Sequence, residues 1–176
     1  MRALLFTVGA LLVATLVRAE PVALLEGKLK FDTTDMFVAE KKQATTTRQS
    51  IGDYQGRDSD AWGTVSRGTH GLKPDGLGKY MDRKVAEYTK GLSWLPRLDW
   101  LKKEIVTING RPWADICFIA PRQEAKDARD GLMYTRIFAT SFDGQLLEIM
   151  FTSNTDPEPA TKDKIDKVIE SVQLVD

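Results

Sequence analysis

Residues 107–120 read TINGRPWADICFIA and place a tight-turn signal between two apolar runs. The pair Asn109 and Gly110 favours a two-residue hairpin turn, because both residue types accept the positive φ angles that such a turn demands. Two strands that meet at a turn of this kind run antiparallel. The stretch therefore predicts a β-hairpin whose strands cover residues 99–108 and 112–120.

A second hairpin of the same kind follows along the chain. The runs LMYTRIFATSF (132–142) and QLLEIMFTS (145–153) flank the pair Asp143 and Gly144. In both runs apolar residues fall on both faces of the strand, whereas a strand with one face in water alternates more cleanly. We therefore expect this hairpin to be central in the sheet and covered on both faces, with Gly110 and Gly144 serving as turn residues.

Two segments have the three- and four-residue spacing of apolar side chains that is typical of amphipathic helices. The first is LGKYMDRKVAEYTKGL (77–92). The second lies within residues 156–175, where Thr161 or Asp163 is expected to cap the helix. In the first helix four charged side chains are expected to face solvent. They are Lys79, Arg83, Lys84 and Glu87.

The N-terminal part of the chain is less regular. Residues 20–26 are interpreted as a lead-in, and KLKFDTTDMFVAEKK (28–42) as a strand, a polar break and a second extended piece. Residues 43–60 start with β-prone threonines and end as a polar loop, while residues 61–69 form a strand and residues 70–76 a loop. Two helices and a mostly antiparallel sheet predict one layered α+β domain.

The first residues, MRALLFTVGALLVATLVRAEP, have the three-part layout of a secretory signal peptide. A positive start at Arg2 precedes an apolar run shorter than the ~20 residues of a transmembrane helix, and Ala19 offers a cleavage site. Residues 1–19 are therefore expected to be removed, which leaves a soluble domain of residues 20–176 in a Gram-negative periplasm. An uncleaved N-terminal anchor is the alternative.

Charge and cysteine content exclude several classes of function. The chain has 25 basic and 25 acidic residues, so it lacks the basic excess with which nucleic-acid-binding proteins neutralise phosphates. A single cysteine cannot form an intramolecular disulfide. One histidine and one cysteine do not make the ligand set of a structural zinc site, and no cofactor is predicted.

The order of these elements and the motifs within them resemble the DcrB/PsbP-like group of small exported bacterial proteins. The matching motifs are EGKLKFDTTDMF (26–37), VTINGRPWADICF (106–118), YTRIFATSFDGQLLEIMFTS (134–153) and IDKVIESVQL (165–174). The resemblance implies an α/β/α sandwich around a mostly antiparallel sheet. It implies no shared reaction, because a fold does not carry a function, and the group consists mostly of accessory proteins.

Cys117 and His70, the single cysteine and the single histidine, are the first candidates for catalysis. A nucleophilic thiol requires a nearby base and an environment that favours the thiolate. His70 lies in a Gly/Pro loop, whereas Cys117 lies mid-strand between Ile116 and Phe118. We expect Cys117 to be a packed core residue, because free cysteine is among the most buried residue types, and no catalytic residue is predicted.

The stretch SWLPRLDWL (93–101) follows the first helix and combines large aromatic side chains with an arginine. Trp94, Arg97 and Trp100 are residue types enriched where partners bind. They suit the edge of a sheet as well, so packing of that edge is the alternative. These three residues form the candidate partner-binding patch.

The sequence predicts a soluble periplasmic accessory protein without catalytic activity, which binds a protein partner or a small amphipathic ligand. In a sharper form of this hypothesis it is an immunity or inhibitor protein that neutralises an envelope-targeting toxin. The alternative is a periplasmic hydrolase built on carboxylates in the loops 53–60 and 121–131. Within the first loop Asp53, Asp58 and Asp60 lack the spacing of a calcium loop, so no metal is predicted.

Overall fold

A computed structural model gives the fold of most of the chain. It describes residues 21–40, 49–57, 60–93, 95, 97–121, 132–153 and 159–175. The strands are β1 (Pro21–Leu24), β2 (Leu29–Asp32), β3 (Phe37–Glu40), β4 (Gln49–Gly56), β5 (Ala61–Gly71), β6 (Asp99–Ile108), β7 (Arg111–Pro121), β8 (Leu132–Phe142), β9 (Gln145–Ser153) and β10 (Gln173–Leu174). The helices are α1 (Leu77–Gly91), preceded by a short 3-10 turn at Pro74–Gly76, and α2 (Pro159–Glu170).

Seven of these strands form one antiparallel sheet in the order β3-β4-β5-β9-β8-β7-β6. The other three form a small sheet in the order β1-β2-β10. Helix α1 packs on one face of the large sheet, and α2 with the small sheet packs on the other. The predicted α/β/α arrangement around a mostly antiparallel sheet is confirmed.

The two predicted hairpins form the half of the large sheet that lies between the helices. Residues at both turns have positive φ: 51° at Asn109, 77° at Gly110, 50° at Asp143 and 71° at Gly144. This backbone suits the right-handed twist of the flanking strands. Strand β8 lies between β7 and β9 and is buried along most of its length on both faces, as expected from its apolar pattern.

Alternate residues of the strands feed two separate apolar cores. The larger core lies under α2 and the small sheet, and the smaller core lies under α1. In the larger core the ring of Phe151 lies over Gly63 of the neighbouring strand, so a Cβ placed at position 63 would come within 2.2 Å of that ring. Gly63 therefore allows a close approach of ring and backbone that no other residue permits at this packing density.

The N-terminal third contains more strand than predicted. Residues 21–24, interpreted as a lead-in, form β1, because Val22 and Leu24 pack against the larger core. The polar stretch 49–56 forms β4 and pairs with β3 and β5. The ring of Tyr54 is buried and Ile51 packs against the larger core, so two side chains anchor a strand that looks polar by residue count.

The C-terminal helix is shorter than the predicted span of 156–175. It ends at Glu170, and Gln173–Leu174 then adds to the small sheet beside β2. Because α2 begins at Pro159, Thr161 and Asp163 lie inside the helix, and the prediction that either one caps it is wrong. None of the described helices is long and apolar enough to cross a membrane, and residues 1–20 lie outside the described part of the chain.

Candidate functional site

Strand β6 forms one edge of the large sheet and presents two large apolar side chains to solvent. Its register against β7 shifts between Trp100 and Lys102, so Leu101 is the extra residue of a β-bulge. Leu101 is 46% exposed and Ile105 is 43% exposed. A bulge bends the edge and interrupts the ladder, so this edge offers side chains to a partner more readily than a flat row of backbone groups.

A groove of about 680 Å³ runs between this edge and helix α1. Its apolar wall comes from Met81, Val85 and Ala86 of α1, and Lys90 and Lys103 flank it with positive charge. The groove lies where α1, which packs mainly on β7, contacts the edge strand β6 less closely. This groove was not predicted, because the apolar stripe of a helix does not reveal how much of it the sheet covers.

Of the predicted patch, Arg97 and Trp100 are described and lie just before and at the start of this edge strand. The Trp100 ring packs edge-on against Phe118, with ring centroids 5.2 Å apart, so it is partly used in the α1-side core. The guanidinium of Arg97 is exposed and pairs with the carboxylate of Asp99. Trp94 lies outside the described residues. Partner binding by Trp94, Arg97 and Trp100 stays a prediction.

A cavity of about 500 Å³ lies at the start of α1, between the end of β5 and the loop that follows it. The loop is held in place because the Leu72 amide donates to the Gly144 carbonyl at 2.8 Å and the Ser141 hydroxyl donates to the Leu72 carbonyl. The cavity has an apolar side that includes Leu146 and a charged rim. The rim residues are His70, Lys73, Asp75, Lys79 and Arg83.

Beneath this cavity, three polar side chains form a buried cluster between α1 and the sheet. The Lys84 ammonium lies 2.9 Å from Glu148 Oε2, and the two side chains are 5% and 1% exposed. The Tyr80 hydroxyl donates to the same carboxylate oxygen. The prediction that Lys84 faces solvent is therefore wrong. Its carbon chain follows the buried face of α1, and its charge is retained because Glu148 meets it there.

A second buried cluster lies on the opposite face of the sheet, under α2. Arg136 binds Asp115 with two bonds, Nε to Oδ1 at 3.0 Å and Nη2 to Oδ2 at 2.8 Å. Its Nη1 donates to Asp166 Oδ1 at 2.6 Å. Lys102 and Lys162 add ion pairs of 3.2 and 2.8 Å to Asp115 and Asp166. Every acid in the cluster therefore faces at least two cations.

This cluster is arranged for structure and not for proton transfer. Burial alone would raise the pKa of Asp166. Hydrogen bonds from Lys162, Tyr134 and Arg136, together with the charge of Arg136, outweigh that effect and lower the pKa below its ordinary value. A general acid requires the opposite, a carboxyl whose pKa is raised towards neutrality. The cluster instead fixes α2 to strands β7 and β8.

Cys117 is buried in the larger core, as predicted from its apolar neighbours. Burial raises the pKa of its thiol to about 11, so the thiolate is disfavoured at neutral pH. His70 lies at the rim of the cavity on the α1 side of the sheet, whereas Cys117 faces α2. The sheet separates the two side chains, which excludes a direct Cys–His pair.

The remaining sequence candidates have ordinary structural roles where they are described. Asp53 Oδ1 accepts hydrogen bonds from Ser50 and Thr64 at 2.8 and 3.1 Å, and Asp58 lies outside the described residues. Among the described residues no group of three or more His, Cys, Asp or Glu side chains could hold a metal ion.

Sequence reasoning missed both buried ionic clusters, although a signal for them existed. Asp115, Arg136 and Glu148 each interrupt an otherwise apolar run. A charged residue in a strand that is covered on both faces must be paired, because an isolated buried charge costs several kcal/mol. The apolar pattern of the hairpins thus predicts that these three residues have partners, but it does not identify them.

Comparison with known proteins identifies the fold and no family. No protein-family model matches the sequence, and no curated protein matches it significantly. The solution structure of cyanobacterial PsbP (CyanoP) from Synechocystis sp. matches with a TM-score of 0.61 and 11% identity, over 95% of this chain and 98% of that one. The crystal structure of the Ran-binding protein Mog1p from Saccharomyces cerevisiae matches with a TM-score of 0.59 and 11% identity, over 91% and 97%.

These two similarities cover nearly the whole length of both proteins, so the chain has the PsbP-like fold. Identity of this level carries no function, since one fold serves many roles. The resemblance to the PsbP-like half of the predicted group is supported by the fold, while membership of a DcrB group stays a prediction.

Proposed function

We propose that this chain is a non-catalytic accessory protein of the bacterial periplasm that binds a protein partner through the β6 edge of its sheet. The observation that carries the proposal is the exposure of Leu101 and Ile105, two large apolar side chains on the same bulged edge strand. Exposed apolar side chains are common when scattered, but a group of them beside a groove is typical of an interaction surface.

The neighbourhood of these two residues fits the anatomy of an interface. Leu101 and Ile105 supply exposed apolar surface on the strand that also contributes Lys103 to the wall of the groove. Trp94, Arg97 and Trp100 precede or begin this strand and would extend the surface. Lys102 and Lys103 on the edge oppose strand addition by another sheet, so the partner is expected to dock through side chains.

The fold offers a precedent for protein binding, since one protein with the same fold is named for binding Ran. The proposed periplasmic location rests on the signal-peptide layout of residues 1–19. If this layout is used, the mature protein begins at Glu20. Intact-mass measurement of the cell-associated protein checks this, and a mass that includes Met1 would contradict export by cleavage.

The binding surface can be tested by capture from an envelope extract. Leu101→Asp and Ile105→Asp place a charge at the centre of the surface without touching the core, and each should abolish capture of a stoichiometric partner. Interface centres of this type contribute at least ~2 kcal/mol per anchor residue, which corresponds to roughly a thirtyfold loss of affinity.

Val175→Asp is the matched control, because Val175 is also a large exposed apolar residue, 61% exposed, but lies at the end of the small sheet. The control should capture as the unmodified protein does. If both β6 variants keep their melting temperature and still capture the partner, the surface is elsewhere. Identification of the captured protein as an envelope-targeting toxin would establish the sharper immunity or inhibitor role.

A small amphipathic ligand is the second candidate, and the cavity at the start of α1 favours it. Its volume of about 500 Å³ lies within the usual range of ligand sites, about 300–1,000 Å³. Apolar side chains next to the basic residues Lys73, Lys79 and Arg83 suit a short chain that ends in an anionic group. Calorimetric titration with octanoate and octanol tests this, since only the anion should bind measurably.

The hydrolase alternative rests on carboxylates in the loops 53–60 and 121–131, of which residues 122–131 are not described. Asp53 is held by two side-chain hydroxyls on the sheet, which suits a structural acid. Loss of a hydrolytic activity in Asp53→Asn or Asp60→Asn, with the fold retained, would favour this alternative over the binding role.

A further inference from the structure

A cluster of three cationic side chains surrounds one buried aromatic ring at the end of the large sheet, on the α2 side. The ring is Phe142, the last residue of β8. Lys28 Nζ lies 5.5 Å from its centroid, and the guanidinium carbons of Arg67 and Arg111 each lie 5.7 Å from it. Each charge lies within 5.7 Å of the Phe142 ring centroid, so any two of the charges are at most twice that distance apart.

The three cations come from separate parts of the chain. Lys28 lies in the turn between β1 and β2, Arg67 in β5, and Arg111 at the first residue of β7. Arg111 Nη1 donates to the Ser141 carbonyl at 2.7 Å, which fixes that guanidinium beside the ring. Attraction to the face of an aromatic ring stabilises each cation separately, but it does not remove the repulsion between neighbouring cations.

Arg67 is the least satisfied member of this cluster. Its Nε is buried and makes no hydrogen bond. Its Nη2 lies 3.6 Å from Asp143 Oδ2, an ion pair that is too long for a hydrogen bond, and the side chain is only 25% exposed. A guanidinium has five donors and no acceptor, so a largely buried one with so few bonds is costly unless an external acceptor completes it.

We propose that Lys28, Arg67 and Arg111, with Phe142 as the supporting wall, bind a phosphate group. The Arg67 side chain is one quarter exposed, and a guanidinium matches the oxygens of phosphate with two parallel bonds. A phosphate group carries between one and two negative charges at neutral pH, which suits a site of several cations better than a singly charged carboxylate does. The Lys28 ammonium supplies a second, movable charge on the open side.

The site lies on the face of the sheet opposite the cavity at the start of α1, and it is independent of the β6 surface. The phosphate group has two possible sources, a small phosphate ester in solution or the headgroup of a phospholipid. Both sources offer the same phosphate oxygens to the site, but one is free in solution and the other is held at a membrane surface.

The test uses the full chain and inorganic phosphate as the first probe. Titration followed by ¹⁵N NMR should shift the Nε–H resonance of Arg67, because the bound anion changes the field at that guanidinium. Arg67→Gln should weaken phosphate binding about ten- to a hundredfold, the loss typical of a charge-assisted bond. Lys167→Gln removes one exposed positive charge of α2 and is the control, which should bind phosphate as the unmodified protein does.

Two further variants keep the test decisive if Arg67→Gln does not fold. Arg67→Lys keeps the charge and loses the paired donors, and Lys28→Gln alters only the turn, so each should weaken phosphate binding and leave the melting temperature nearly unchanged. Equal phosphate affinity in the unmodified protein, Lys28→Gln and Arg67→Lys would overturn the proposal, as would equal affinity for acetate and phosphate. Competition between phosphatidic acid vesicles, whose headgroup is a phosphomonoester, and inorganic phosphate would assign the group to a lipid, and its absence to a soluble ester.

Discussion

Removal of the buried charge at Lys84 should destabilise the protein strongly, while removal of its partner as well should restore part of the loss. Lys84→Met removes the ammonium that pairs with the Glu148 carboxylate, which is 1% exposed and keeps the hydrogen bond from the Tyr80 hydroxyl. An uncompensated buried charge of this kind costs about 3–5 kcal/mol. For a chain of this length the melting temperature should fall by roughly 6–20 °C.

The double variant Lys84→Met with Glu148→Leu replaces the ion pair by two apolar side chains of similar volume. Such replacements are often neutral or stabilising in other proteins, although here the Tyr80 hydroxyl loses its bond to Glu148, which costs about 1–3 kcal/mol. The double variant should therefore be more stable than Lys84→Met alone by about 2 kcal/mol, the midpoint of the difference between these two costs.

Urea unfolding followed by circular dichroism measures these differences, provided that the slope of free energy against urea is the same in all variants. The free energies of the unmodified protein, Lys84→Met, Glu148→Leu and the double variant form a double-mutant cycle. This cycle isolates the coupling between the two charges. If the losses of Lys84→Met and Glu148→Leu simply add, the pair is not coupled and the structural argument fails. A loss below ~1 kcal/mol for Lys84→Met would refute the burial of an uncompensated charge.

Three further predictions follow from the sheet and its α2 side. The folded-state pKa of Asp166 is lowered from 3.8, so its contribution to stability is present above that value and disappears as the pH falls through the lowered one. The stability difference between the protein and Asp166→Asn should therefore shrink as the pH falls below 3.8. Cys117 should react with a thiol reagent only after denaturant is added, and fast labelling of the folded protein would contradict its burial. Gly63→Ala should cost about 1–3 kcal/mol in urea unfolding, because its Cβ would collide with the Phe151 ring, and an unchanged midpoint would show that the ring moves freely.

Local sequence signals determined the hairpins and helix α1 almost completely. The pairs Asn109–Gly110 and Asp143–Gly144 act through the φ angles of two adjacent residues, and the stripe of α1 acts through neighbours three and four positions apart. These effects operate within a few residues of the chain. The predicted spans 132–142, 145–153 and 99–108 therefore coincide with the strands that form.

Local sequence signals did not predict the elements whose stability depends on partners far away in the chain. Strand β4 is polar in sequence, and it is a strand because β3 and β5 offer hydrogen bonds on both sides. Strand β10 has only two residues and exists because β2, more than 140 positions earlier, provides its partners Lys30 and Leu29. Neither partner can be read from the residues next to the strand.

The same distinction between local signals and distant contacts applies to the candidate sites. The sequence by itself indicated a packed thiol at Cys117 and aromatic residues near a sheet edge, because residue type and apolar context carry that information. It predicted Lys84 on the solvent face of α1, because helical periodicity gives the direction of a side chain around the helix axis but not the residues that it contacts. Only the tertiary structure brings Lys84 to Glu148 and gathers Lys28 and Arg67 around one ring, because a charge becomes buried or clustered through contacts between segments that are remote in the chain.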